Sequence, residues 1–360
     1  VGALGTICLD GDGRLWGFGA NKFGQLGLGD NANRYTPEIS ELDVPRYKSV
    51  AAGSNHTMCV DEEGKVWYFG LDHITNAWNS QGESRLLPER VSGIPPIAYV
   101  ACGSHHTLWL DEDGTAWSIG YNETGQLGLG HNEHQTKPQK IPVKNVTMIA
   151  CGTYSSFIQA SDNILACGSN RIGELGVGDN ELKSSFTKCS GNLDNVVDIS
   201  SGSNHTLYLN AEGEVFVTGS NVVGQLGTGN FESQNSPLKN PHLQHIKLIT
   251  CGTNHTLCVD ESGTLFAFGG ATHAQLGLGD KVNHNTPQKV SCISNIQLLS
   301  RGCSAEHSIV QDANGQIWGF GRNSHCQRGA RLKKSELRKP NPIAEVLLHS
   351  HSARTKSARK

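Results

Sequence analysis

The sequence predicts an all-β fold: a seven-bladed β-propeller of about 50-residue repeats with four-stranded blades, its ring closed by the N- and C-terminal segments. Three observations carry this expectation. One glycine recurs at Gly2, Gly53, Gly103, Gly152, Gly202, Gly252 and Gly302, at spacings of 51, 50, 49, 50, 50 and 50 residues, and self-similarity at one period marks a repeat architecture. Each copy also carries the same punctuation, clearest in residues 101–130: Gly103-x-x-His106-Thr107, a tight turn from Asp111 to Gly114, and Asn122-x-x-Gly125-Gln126-Leu127-Gly128-x-Gly130. Between these signals lie four strand-length segments per repeat, and seven such units arranged radially leave only short, protected edges.

Within a repeat, the apolar runs Tyr47–Ala52, Ile97–Cys102, Val146–Cys151, Val196–Ser201 and Ile246–Cys251 read as buried strands nearest the axis. The Gly-x-x-His turn leads into a second strand, and the aspartate turn into a third. Three residues after that turn's glycine stands a large ring, at Trp16, Trp67, Trp117, Phe216, Phe266 and Trp318, suited to filling the space between blades. The glycine loop follows. A proline segment, as at Pro37, Pro138 and Pro287, then enters an outer strand, where proline is tolerated because an edge needs no donor on its outer side.

Residues 1–350 are read as one propeller and 351–360 as a basic flexible tail. The segment 343–350 is expected to pair with the strand that begins at Val1, so that the two ends share a blade. The chain starts without Met or a signal-like segment, and its first repeat lacks an upstream strand, so the numbering is read as beginning inside a larger protein.

Charge is unevenly placed. From Arg331 onward nine Lys and Arg face two Glu, which leaves residues 1–330 at −10 within a net charge of −3. An acidic ring argues against nucleic-acid binding by the propeller body and fits a basic protein partner. No apolar run approaches the roughly 18 residues of a membrane span. The 11 cysteines fall in repeat columns (Cys8, Cys59 and Cys258 in one, Cys102, Cys151 and Cys251 in another) with no Cys-x-x-Cys pair. They read as small core hydrophobes in an intracellular protein, cytoplasmic or nuclear.

The coincidence of these motifs resembles the regulator-of-chromosome-condensation repeat family over nearly the whole chain. The Asn-x-x-Gly-Gln-Leu-Gly signature stands at 21–27, 122–128 and 221–227, and in weaker form at 170–176 and 274–279. The resemblance implies a seven-bladed propeller and two classes of function. One is a non-catalytic, regulatory protein-binding module. The alternative is guanine nucleotide exchange on a Ran-like small GTPase, which needs a wedge and contacts rather than covalent chemistry.

No classical active site, cofactor or metal is expected. His56, His106, His205, His255 and His307 recur at one position on separate blades, and each is expected to hydrogen-bond within its own blade. The partner site is placed on the face that collects the short loops between the first glycine and this histidine. Most of those positions hold Ser, Thr or Asn, whereas His105, Tyr154 and Glu306 break the pattern. The second repeat loses its glycine loop across residues 71–78, which adds Asp72, His73 and Trp78 as candidate contacts and a candidate wedge. Against exchange, Glu306 is the sole carboxylate where the resemblance implies several.

Overall fold

The computed structural model describes residues 1–42, 44–71, 84–329 and 336–343. Seven antiparallel sheets follow one another along the chain, each built in sequence order from the axis outward. Blade 2 shows the plan: Tyr47–Ala52 is innermost, then His56–Asp61, Val66–Leu71 and, outermost, Ser84–Arg90. Blades 3 to 6 repeat it, and blade 7 ends in Ile317–Arg322 and Glu336–Pro342. Among the described residues blade 1 has three strands, Gly5–Leu9, Leu15–Gly19 and Arg34–Ile39, which match the outer three of the others. Of the expected closing partner at 343–350 only Ile343 is among the described residues, and the tail at 351–360 lies outside them. At the near end, Ile343 is buried with Phe18, Ile309 and Ile317 between blades 7 and 1.

The innermost strands do lie next to the axis; those of blades 5 and 6 are mostly buried, as expected, whereas those of blades 2, 3 and 4 are mainly half-buried. Val50, Val100, Ile149 and Ile199 line a central cavity of about 430 Å³. Full burial belongs to the second strand: every residue of His56–Asp61 and His106–Asp111 is covered, because one face packs on each neighbouring blade. Each cysteine column is split: Cys59, Cys258 and Cys251 are core, while Cys8, Cys102 and Cys151 face the cavity, and all eleven are free thiols.

The ring column fills the clefts between blades as its regularity suggested, with Trp67 against the blade 1–2 core and Trp117 against the blade 2–3 core. Its coupling to the aspartate turn has a chemical reason. Asp61 Oδ1 accepts the turn's backbone N–H groups, and its Oδ2 accepts the indole N–H of Trp67 at 2.9 Å, so one carboxylate closes the hairpin and satisfies the ring. Asp10, Asp111 and Asp312 do the same for Trp16, Trp117 and Trp318. The glycine loop is cross-braced by its first residue: Asn122 Oδ1 accepts Leu127 N–H, and Asn122 Nδ2 donates to the carbonyl of His131.

Candidate functional site

The recurrent histidine begins the second strand and pairs with the glycine that ends the third, as His106 does with Gly120. Both the Gly-x-x-His turns and the glycine loops therefore emerge on one face, called here the top. The aspartate turns lie on the other.

The histidines bond across blades, not within them. Nε2 of His106 lies 2.9 Å from Ser156 Oγ, His205 3.0 Å from Thr256 Oγ1, His255 2.9 Å from Ser308 Oγ, and His307 2.9 Å from Thr6 Oγ1. Each of these hydroxyls gives its single proton to a loop carbonyl, of Gln126, Gln225, Gln275 or Gln327. The imidazole must then donate, which assigns the neutral Nε2–H tautomer. Burial holds these rings neutral, pushing His106 and His205 down to about 3 and His255 to about 4. The template glycine is required by the same ring, since a Cβ on Gly103 would sit 2.1 Å from His106 Cε1. Among the described residues no cluster of three or more His, Cys, Asp or Glu could hold a metal ion.

Two columns of the top face are paired by the backbone. The residue after the third strand's last glycine donates its N–H to the residue before the recurrent histidine: Tyr121 to His105, Ser169 to Tyr154, Ser220 to Asn204, Gly270 to Asn254 and Arg322 to Glu306. The candidate residues consequently fall into two groups. His105 and Tyr154, on blades 3 and 4, both reach Tyr121, with ring centroids 6.3 and 6.4 Å away and tilts of 57° and 54°. His134 stacks on Tyr121 at 4.7 Å, and Thr124 Oγ1 bonds the Tyr154 carbonyl, so the cluster straddles the seam. The Tyr121 hydroxyl donates to the Glu123 carboxylate. Burial pushes His105 down; burial and then the Glu123 bond raise Tyr121 to about 12.

Glu306 sits at the blade 6–7 seam, where it bonds Arg322 and lies 3.7 Å from His273 Nε2. Asp72, His73 and Trp78 lie outside the described residues. Sequence reasoning passed over Tyr121 and Arg322. Their signal was available: in the column Ala20, Leu71, Tyr121, Ser169, Ser220, Gly270, Arg322, these two break a small or apolar pattern in the same blades as His105 and Glu306.

The two residues inserted in repeat 7 have a definite place. Gly252 lies against Ala305, where Gly53 lies against Gly103 and Gly103 against Gly152, so Ala305 rather than Gly302 fills the repeat's glycine position. The displaced Cys303 and Ser304 lie across the axis. Ser304 Oγ is 3.2 Å from Ser104 Oγ and 3.3 Å from Thr153 Oγ1, and Ser203 Oγ and Thr153 Oγ1 both reach the Cys303 carbonyl. The central cavity is thereby roofed at the top face. Beneath this roof Arg301 pairs with Asp198 of blade 5 at 2.6 Å.

Comparison with known proteins agrees with this architecture. A family model described as an RCC1-like domain matches residues 1–310. The Arabidopsis thaliana ultraviolet-B receptor UVR8 is 31% identical over 240 residues, 64% of this chain and 54% of that protein. The Xenopus laevis regulator of chromosome condensation is 25% identical over 274 residues, 68% of this chain and 64% of that protein. The chain thus spans between half and two-thirds of the length of these relatives. The crystal structure of human WBSCR16 superimposes with a TM-score of 0.77 at 22% identity, covering 92% of this chain and 94% of that one, a likeness of fold. With the period, the cross-blade histidines and the family match in agreement, the chain belongs to the RCC1-like domain family.

Proposed function

We propose that this propeller is a non-catalytic recognition module whose top face binds another protein. The observation that supports this reading is the gathering of His105, Tyr121 and Tyr154 on that face, where Tyr154 is 39% exposed. Loops on a rigid scaffold are where recognition usually resides, and aromatic rings are favoured interface anchors. Relatives bearing names as different as an ultraviolet-B receptor and a regulator of chromosome condensation argue that one scaffold serves several roles. The free thiols suit a reducing, intracellular setting.

Exchange on a small GTPase is the alternative. The one carboxylate in the turn column, Glu306, is engaged by Arg322, which weighs against a role in displacing a nucleotide's metal and phosphates. Two measurements separate the readings. A His105→Ala, Tyr154→Ala, Glu306→Ala variant that stays folded is expected to lose a protein captured by the unaltered chain; undiminished capture moves the site elsewhere. In a nucleotide-release assay with Ran and other small GTPases, the chain is expected to leave the release rate unchanged, and acceleration establishes exchange instead.

A further inference from the structure

We propose that the blade 3–4 seam receives a basic side chain, arginine or lysine, from an exposed segment of the partner. This deepens the reading above and rests on it. Tyr121 meets His105 and Tyr154 at 6.3 and 6.4 Å with tilts of 57° and 54°, so the three rings are inclined to one another rather than stacked flat. Behind them His134, 4.7 Å from Tyr121 and nearly parallel, braces the central ring. A cation within about 6 Å of such a ring is attracted to its π face, the more so where water is partly excluded.

The charge pattern selects a cation over an anion or an apolar side chain. Glu123 accepts the Tyr121 hydroxyl, and an exposed Glu133 stands in the same loop. From Tyr121 to Gln135 there is no Lys or Arg. On blade 4, Lys183 is held by Asp179 at 2.8 Å and lies 4.0 Å from Glu181, and Arg171 is the exposed cation of that blade's glycine loop. An incoming cation therefore finds the Glu123 and Glu133 carboxylates on a loop with no cation of its own. An apolar side chain would have to desolvate Glu123 without compensation. Burial holds the His105 imidazole neutral at pH 7 and keeps the Tyr121 phenol protonated, so neither of these two rings meets the guest with a charge of its own.

The test uses the full chain and three dye-labelled heptapeptides of Gly background, bearing a central Arg-Lys-Arg, Glu-Asp-Glu or Leu-Val-Leu, followed by fluorescence anisotropy at low and moderate salt. The basic peptide is expected to bind and the others not. Tyr121→Ala and Tyr154→Ala should each weaken it about tenfold, a loss of about 1.4 kcal/mol. Tyr121→Phe, which keeps the ring, should retain most of the binding, and Glu123→Gln should weaken it, all four variants keeping the melting temperature of the unaltered chain. Binding of the basic peptide that is indifferent to Tyr121→Ala means diffuse attraction to an acidic body and overturns the proposal, as does preference for either other peptide or no binding at all. If the basic peptide fails while the triple variant still loses its protein partner, the top-face reading stands and this inference alone falls.

Discussion

Adjacent residues on a strand point to opposite sides, and this decides what the recurrent histidine can reach. His205 faces blade 6 and bonds Thr256, whereas Thr206, the next residue, faces back to blade 4 and bonds the Glu174 carbonyl. A bond within the histidine's own blade was thus the wrong expectation, because a repeat column tells which residues recur and not which copy each one touches. His205→Ala should destabilise by about 1–3 kcal/mol, measured by urea unfolding, through lost packing and a Thr256 hydroxyl left one bond short. Retained stability would refute that role. The pH dependence follows from the same burial. With folded-state values near 3 to 4 for His106, His205 and His255, and an ordinary value near 6.5 when unfolded, the unfolded chain binds more protons between those limits. The stabilisation is complete above pH 6.5 and is lost as pH falls toward 4. The urea midpoint should drop from pH 7.5 to pH 5, and drop less in His205→Ala.

At the scale of the blade, the fourth repeat shows how a missing element is replaced. Ser155 stands where an imidazole belongs, so Thr206 has no histidine partner; instead Ser201 Oγ lies 2.9 Å from Thr206 Oγ1. The sequence made the loss visible at residues 154–156. The compensation, Ser201 in a column that elsewhere reads Val1, Ala52, Cys102, Cys151, Cys251 and Arg301, was legible only as composition, because nothing in the period says that columns 155 and 201 share one hydroxyl. Ser201→Ala should cost about 1 kcal/mol. Ser155→His alone should gain nothing while Ser201 Oγ occupies the slot beside Gly152, yet combined with Ser201→Ala it should recover much of the loss. Additive effects of the two substitutions in thermal melts would show that they do not share the site.

For the whole molecule, the ring was legible because its signal repeats seven times, so that drift in one copy is outvoted by the others. The proposed partner surface was less so: His105 and Tyr154 stood out as departures, but the ring that joins them, Tyr121, sits in another column, and only the backbone bond from Tyr121 to the His105 carbonyl reveals the pairing. The axis-side edge of Gly5–Leu9 is unpaired by any described strand, and Ile343 delivers the chain to the blade 7–1 cleft. Removing residues 344–360 should lower the melting temperature by several degrees and removing only 353–360 should leave it in place. Equal temperatures for the full chain and the longer truncation would dispose of a closing strand at 343–350.

The residues of blade 7 that lie across the axis change what kind of object the ring is. A plain propeller transmits force as a necklace does, from each bead to the next, and blade 7 is three beads from blade 4 by the shorter way round. Ser304 against Thr153, the Cys303 carbonyl against Ser203, and Arg301 against Asp198 tie blade 7 straight to blades 4 and 5, like spokes joining far points of a rim. A load on blade 7 then reaches blades 4 and 5 in a single step, and a rim with spokes resists becoming an oval.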